Sequence, residues 1–260
     1  MQTRVSMTDR PHIDSSKVQQ LYAETHKGYS ALFTKQRSGD NFCFNRRVDV
    51  VRELAPTRIL GLLDCAVGSG EVTGSVLSNS TVEKVVVNDF SPHMMSLARS
   101  YLIPKSIEDS IPAILFNQDD IFHYLDSTDE EFDCILCIGL IAHTGRLDEL
   151  LSSLRRRLSN NGVLLFQSTL ANHPFVALHR CLTQKRYQRK FGYPIAYYTE
   201  RELLDAFARN SFTITESRKF CIRIPFGDKI SKRANYHCER ILCNVAQTWG
   251  SECIYKLLAI

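Results

Sequence analysis

The sequence predicts an α/β protein built on a mostly parallel, doubly wound sheet with helices on both faces. Three observations carry that expectation. Short apolar runs alternate with helical patterns from about Ile59 to Phe166, and strands that alternate with helices pair in parallel beneath a helical cover. The first run ends in Leu62-Leu-Asp-Cys-Ala-Val-Gly-Ser-Gly70, a strand-to-helix turn with glycines at 68 and 70. The second run, Lys84-Val-Val-Val-Asn-Asp89, ends in an acid.

Taken in chain order, Ser15 to Leu54 is helical in pattern, interrupted around Ser38-Gly-Asp-Asn41, and carries Tyr22, Tyr29 and the pair Arg46-Arg47. Ile59 to Leu63 is the apolar strand that feeds the turn. Gly68 and Gly70 have no β-carbon, so the backbone can take positive φ and a ligand can lie against it. The helix beginning near Glu71 points its free amides at the same spot. Asp89 follows Gly70 by 19 residues, close to the spacing at which an acid accepts the hydroxyls of a ribose. A dinucleotide site wants a third small residue at the sixth position from Gly68. Thr73 stands there, with Gly74 one place late, so that fingerprint fails.

At these residues the chain resembles the class I methyltransferases that use S-adenosylmethionine. Asp64, Gly68 and Gly70 match the first motif of that family, with Ala66 where the family most often has its first glycine. Asn88-Asp-Phe-Ser-Pro-His-Met-Met95 is similar to the family's second-strand acid and the helix after it, where Ser91 can cap and Pro92 fits the first turn. Ala113 to Phe122 resembles the third strand and the acid that follows it; Asp119 aligns best and Asp120 is the alternative. Glu131 to His143 resembles the fourth strand and the loop bordering the transferable methyl, and Leu158 to Phe166 the entry into the fifth strand. In order, these matches span residues 58–168.

The resemblance implies a Rossmann-like sheet of about seven strands with a last antiparallel strand, a helical N-terminal cap, and S-adenosylmethionine as cofactor. It implies that Gly68 and Gly70 admit the methionyl and ribose part and that Asp89 accepts the ribose hydroxyls. Asp64 supports the turn or a bridging water, and Asp119 or Asp120 accepts from the adenine amine. Phe90 and Ile121 would flank the ring, and Ala66 and Cys137 would border the cofactor. His143, just after the fourth strand, is the candidate base by position, with substrate donor or structural cap as the alternatives for a lone histidine. No Asn-Pro-Pro-Tyr or Asp-Pro-Pro-Tyr string follows that strand; Cys137-Ile-Gly-Leu140 stands there. That argues against the amino-methylating nucleic-acid and glutamine enzymes of the superfamily.

After the fifth strand the pattern breaks over residues 171–198, with His173 and the aromatic stretch Phe191 to Tyr198. Long aromatic connections of this kind often form lids, so His173, Tyr193 and Tyr197 are the candidate substrate contacts, beside Tyr198. Thr199 with Glu202 reads as a capping box, Phe212-Thr-Ile-Thr215 as a strand, Glu239 to Gln247 as a helix and Glu252 to Ile260 as the last strand. The 260 residues are expected to form one methyltransferase domain: cap 1–54, cofactor core 55–170, lid 171–198 and the rest of the sheet 199–260.

Composition sets outer bounds. With 44% hydrophobic residues the chain can bury one sizeable core, and its apolar runs fall far short of the roughly 20 residues that span a bilayer. Together with a start that lacks an apolar signal region, this favours a cytoplasmic protein without membrane contact. Nine cysteines raise the question of metal, but Cys134 and Cys137, three apart on a strand, point to opposite faces and cannot readily share an ion. No metal is expected. The net charge of +4 permits an anionic substrate without demanding nucleic acid. The densest basic stretch, Arg180 to Lys190, holds five cations; it reads as a solvated helix face, with an anion-binding role as the alternative. The expected activity is methylation of a small-molecule acceptor at oxygen or nitrogen. The alternatives are a noncatalytic cofactor-binding relative, an RNA or protein methyltransferase, and a dinucleotide oxidoreductase.

Overall fold

Seven strands, β1 (Arg58–Asp64), β2 (Thr81–Asn88), β3 (Ile114–Asn117), β4 (Phe132–Cys137), β5 (Leu158–Thr169), β6 (Phe212–Phe220) and β7 (Glu252–Ala259), join in one sheet in the order β3-β2-β1-β4-β5-β7-β6. The computed structural model describes residues 41–108, 114–191, 194–224 and 231–260. The first five strands pair in parallel, and β7 runs antiparallel to both neighbours. The chain steps outward from β1 through β2 to β3 and then returns to lay β4 on the other side of β1. That reversal opens a crevice beyond the carboxyl ends of β1 and β4, where open α/β sheets bind ligands.

Burial explains why the inner strands are apolar throughout. Ile135 and Cys137 enter the core on one face of the sheet, while Cys134 and Leu136 enter the core on the other. The two cysteines of the CxxC string therefore sit in different cores, as strand alternation requires.

The helices fill the connections. They are α1 (Phe42–Leu54), α2 (Glu71–Leu77), α3 (Pro92–Glu108), α4 (Ile121–Ser127), α5 (Ile141–Thr144), α6 (Leu147–Arg157), α7 (Pro174–Phe191), α8 (Glu200–Arg209), α9 (Lys232–Ile241) and α10 (Cys243–Trp249). Of the expected N-terminal cap, residues 41–54 are described, and Tyr22 and Tyr29 lie outside the described residues. Asn41 caps α1, its side chain accepting from Phe44 N at 3.0 Å, and Val50, Val51 and Leu54 carry the helix into the core. The capping box of Thr199 and Glu202 forms with both bonds present and starts α8. The helix expected over Glu239 to Gln247 is two helices, because Leu242 takes φ −83° and ψ 4° and ends α9 before α10 begins. Among the described residues, no helix is long and apolar enough to cross a membrane.

Register also decides what stands at the crevice. Thr169, the last residue of β5, pairs with Glu252, the first of β7. The antiparallel strand therefore starts its run beside the carboxyl ends of the parallel ones.

Candidate active site

The turn after β1 is held from below by Asp64, which is 1% exposed. One carboxylate oxygen accepts from Ala66 N at 3.2 Å and the other from Thr73 Oγ1 at 2.6 Å. Thr73, the residue that spoils the dinucleotide pattern, is thus the donor that fixes this acid. Burial lifts the Asp64 carboxyl to about 6 against the hydrogen bonds that lower it. Gly68 has φ 55° and Gly70 φ 94°. A β-carbon on Gly70 would stand 3.1 Å from Leu102 Cγ, whereas one on Gly68 would meet nothing within 4 Å. Gly70 is bare so that α3 can pack against the turn, and Gly68 is bare toward open space.

That space is a cavity of about 370 Å³ at the crevice. Along its turn side lie Asp64, Ala66, Gly68, Asp89, Phe90 and the start of α4. Asp89 is 7% exposed and accepts from Gly68 N at 3.0 Å and Ser91 N at 2.9 Å, one amide on each oxygen. Burial raises it, too, to about 6. Beside it Asn88, 1% exposed, ties three strand ends together. Its amide donates to Cys65 O at 3.4 Å, beyond β1, and to Asp119 O at 3.1 Å, and its oxygen accepts from Asn117 Nδ2 of β3 at 2.7 Å. Sequence reasoning passed over Asn88, although an amide closing an apolar strand was visible there.

Of the two acids after β3, Asp120 lines the cavity and Asp119 does not. Asp119 accepts from Asp120 N at 2.8 Å and engages the His123 ring, while Asp120 caps α4 by accepting from Phe122 N at 2.9 Å. Ile121 follows on the cavity wall. Gly70 and Cys137 stand behind the wall. Cys137 is fully buried in the core, its thiol raised by desolvation, and Ile138 and Gly139 take the cavity positions beyond it.

Across the cavity, α5 presents His143. Burial lowers its pKa to about 4, so the ring is neutral at ordinary pH. The chain after α7 returns over α5, with Ala196 N donating to Ala142 O at 2.9 Å, and Ile195, Ala196 and Tyr197 line the cavity. Tyr193 lies outside the described residues. Tyr198 is buried at 3% exposure and bridges to Leu170. His173 is not at the cavity: its Nε2 donates to Trp249 O at 3.1 Å, and its ring packs on Trp249 at 4.5 Å and Phe175 at 5.7 Å. An aromatic nest at the start of α7 explains that histidine. Among the described residues, the cations at the cavity are Arg47, Arg146 and Arg223, and Arg180, Lys185 and Arg189 of α7 are not at it. Arg47 and Arg223 both face Glu252, a buried acid that sequence reasoning read only as the start of a strand. No periodicity could have joined residues so far apart in the chain.

Residues 63–166, from the end of β1 through most of β5, match the family model described as a methyltransferase domain. These residues form a methyltransferase domain, and the fold around them is shared with solved S-adenosylmethionine-dependent methyltransferases. None of the curated proteins compared matches this methyltransferase in sequence. Among solved structures it is similar to a possible histamine N-methyltransferase of Thermotoga maritima, at 15% identity and TM-score 0.61 over 93% of this chain and 99% of that one. It is also similar to the N-methyltransferase NodS of Bradyrhizobium japonicum, at 14% identity and TM-score 0.57 over 96% and 98% of the two chains. The cyclopropane synthase MmaA2 of Mycobacterium tuberculosis aligns at 15% identity and TM-score 0.57 over 82% of each chain. NodS is solved in complex with S-adenosyl-l-homocysteine, and the bare Gly68 here, open to the cavity beside Asp89, leaves room for a ligand of that kind.

Proposed function

We propose that this methyltransferase moves the methyl of S-adenosylmethionine to an oxygen or nitrogen of a small-molecule acceptor. The observation that carries the reading is the continuity of one cavity from Gly68 and Asp89 past Gly139 to His143 and Tyr197. Its volume of about 370 Å³ is of small-molecule size. Bound there, the cofactor supplies an electrophilic methyl on a positively charged sulfur.

The chain's own groups then have separate tasks. Asp89 accepts the ribose hydroxyls through the lone pairs that its two backbone amides leave open. Asp120, in place of Asp119, faces the adenine amine, with Phe90 and Ile121 beside the ring. Asp64 holds the turn and touches no ligand. His143 stays neutral and takes the proton that an acceptor hydroxyl or amine must lose. Tyr197 contacts the acceptor, and residues 194–197 help to exclude water from it. Alignment of the reacting groups can contribute roughly 7–11 kcal/mol to such a displacement, so most of the catalytic work falls to these positioning contacts.

Two measurements test the reading. In calorimetry on the purified protein, S-adenosylmethionine and S-adenosylhomocysteine should bind and NADH should give no heat; the opposite pattern overturns the cofactor assignment. Incubation of metabolite extracts with methyl-labelled cofactor should place label in a low-mass product. Label found in RNA or protein alone would overturn the small-molecule acceptor.

A further inference from the structure

The far end of the cavity, away from the turn, is organised around a buried charge. Glu252 is fully buried. Arg223 Nη2 lies 2.8 Å from one of its oxygens and Arg47 Nη2 lies 3.9 Å from the other. Thr169 Oγ1 donates to the first oxygen at 2.8 Å, and Gln167 Nε2 donates to the second. Three of these groups lie within hydrogen-bond distance of the acid, and Arg47 faces it at longer range. Two guanidinium groups with about five donors each remain far from satisfied by one acid.

Two atoms make the shortfall explicit. Among the described residues, Arg47 Nε and Gln167 Oε1 are buried with no hydrogen-bond partner. Both residues line the cavity, and Gln167 is only 2% exposed. Both also converge on one place: a β-carbon on Gly139 would lie 3.8 Å from Gln167 Oε1 and 3.9 Å from Arg47 Nη1. Native structures seldom leave such groups unpaired, and each exception calls for an explanation.

The backbone that presents Arg223 is strained and clamped. Cys221 has φ 58° and Arg223 φ 55°, left-handed values that a residue with a side chain rarely adopts. Glu239, 1% exposed, accepts from Ile222 N at 2.8 Å and Ile224 N at 3.1 Å, and Ser251 N donates to Cys221 O at 2.7 Å. Strain held in place by its surroundings concentrates at ligand sites. A purely structural ion pair would need one arginine for Glu252. The second leaves an excess positive charge beside the cavity, on side chains 44% (Arg223) and 21% (Arg47) exposed and so within reach of a ligand there. The acids of the turn side are engaged elsewhere: Asp64, Asp89 and Asp120 accept from nearby backbone amides and Glu71 accepts from Ser69 Oγ.

We propose that the acceptor of this methyltransferase carries an anionic group, a carboxylate or phosphate, held by Arg223 and Arg47 with Glu252 fixing the two guanidinium groups. The proposal rests on the small-molecule reading above and names the chemical class of that substrate. Gln167 Oε1 accepts a hydroxyl or amine beside the anion. The acceptor thereby lies with its anionic end at the start of β7 and the rest of its body toward Gly139 and His143.

The test uses the full chain saturated with S-adenosylhomocysteine and titrated in a calorimeter with benzoate, phenyl phosphate and the neutral isostere benzamide. At least one of the two anions should bind the complex and benzamide should not. Arg223→Gln should weaken anion binding about tenfold or more, the usual effect of losing a charged hydrogen bond, while S-adenosylhomocysteine affinity stays within about twofold. Because Arg223→Gln leaves Glu252 with one cation fewer, the double variant Arg223→Gln/Glu252→Gln, which removes both charges, should fold and show the same loss. The proposal is overturned if neither anion binds the complex, if the double variant binds them as the parent does, or if anion and S-adenosylhomocysteine exclude each other. The last outcome would assign the arginines to the cofactor's own carboxylate. Arg47→Gln makes the same distinction: a loss of affinity for S-adenosylhomocysteine but not for 5′-methylthioadenosine, which lacks the amino-acid end, also overturns it. If S-adenosylhomocysteine itself fails to bind, the cofactor assignment fails instead, and the same titration shows it.

Discussion

Two glycines six residues apart, Gly68 and Gly74, separate the site from the fold. Gly68→Ala places a methyl where nothing lies within 4 Å, so the free protein meets only the left-handed backbone penalty of roughly 1–2 kcal/mol. For a chain of this size that is a melting shift of about 2–8 °C. The methyl points into the space assigned to the cofactor, where overpacking typically costs about 1–3 kcal/mol, or roughly 5-fold to 150-fold in affinity. Gly74→Ala does the reverse. Its β-carbon would stand 2.6 Å from Tyr101 Cε1, away from the cavity. Displacing that ring costs about 1–3 kcal/mol, offset by about 1 kcal/mol of improved helix propensity in α2. The assay is calorimetry with S-adenosylhomocysteine beside a thermal melt of each variant. Gly68→Ala should lose affinity while staying folded, and Gly74→Ala should bind within about twofold of the parent. Equal affinity in Gly68→Ala, or equal loss in both, would refute a cofactor cradle at Gly68.

Outcomes at three further residues follow from the same geometry. Asp89 has a folded pKa of about 6 against an ordinary 3.8, and only its ionised form accepts two hydroxyls. Affinity for S-adenosylhomocysteine should therefore fall by up to about tenfold per pH unit below 6, and Asp89→Asn should be weak but flat across that range. The free protein shows the opposite sign, because Asp89 holds more protons folded than unfolded between these pKa values. Asp89→Asn should gain on the parent as pH rises from 4 to 7, by up to about 3 kcal/mol in denaturant melts. His143→Gln should lower kcat by about 10²–10⁴ with little change in KM if the ring takes a proton; a change under threefold would remove it from the chemistry. His173→Ala breaks the packing on Trp249 and Phe175 and should lower the melting temperature while kcat/KM per folded molecule holds. A selective loss of kcat/KM would return His173 to the substrate site.

The local signals were legible because the physics behind them is local. Asp64, Gly68, Gly70 and Asp89 each announce a turn or a strand end, and α/β alternation reports a sheet covered on both faces. The choice between Asp119 and Asp120 was not legible. Both follow β3, and only the path of the chain into α4 turns Asp120 to the cavity and Asp119 to His123. Likewise Cys137 ends β4 correctly in sequence, yet alternation sends its side chain into the core and leaves Ile138 and Gly139 at the wall.

By itself, then, the sequence determined the α/β alternation, the succession of the first five strands along the chain and the glycine turn after β1, since each is written in residues near one another. The tertiary structure alone decided the far end of the cavity. Arg47 on α1, Gln167 on β5, Arg223 after β6 and Glu252 on β7 share no spacing, and they meet because β7 inserts antiparallel between β5 and β6. That insertion brings a strand's first residue beside the ends of its neighbours, and a buried acid placed there gathers its partners through electrostatics that no one-dimensional pattern records.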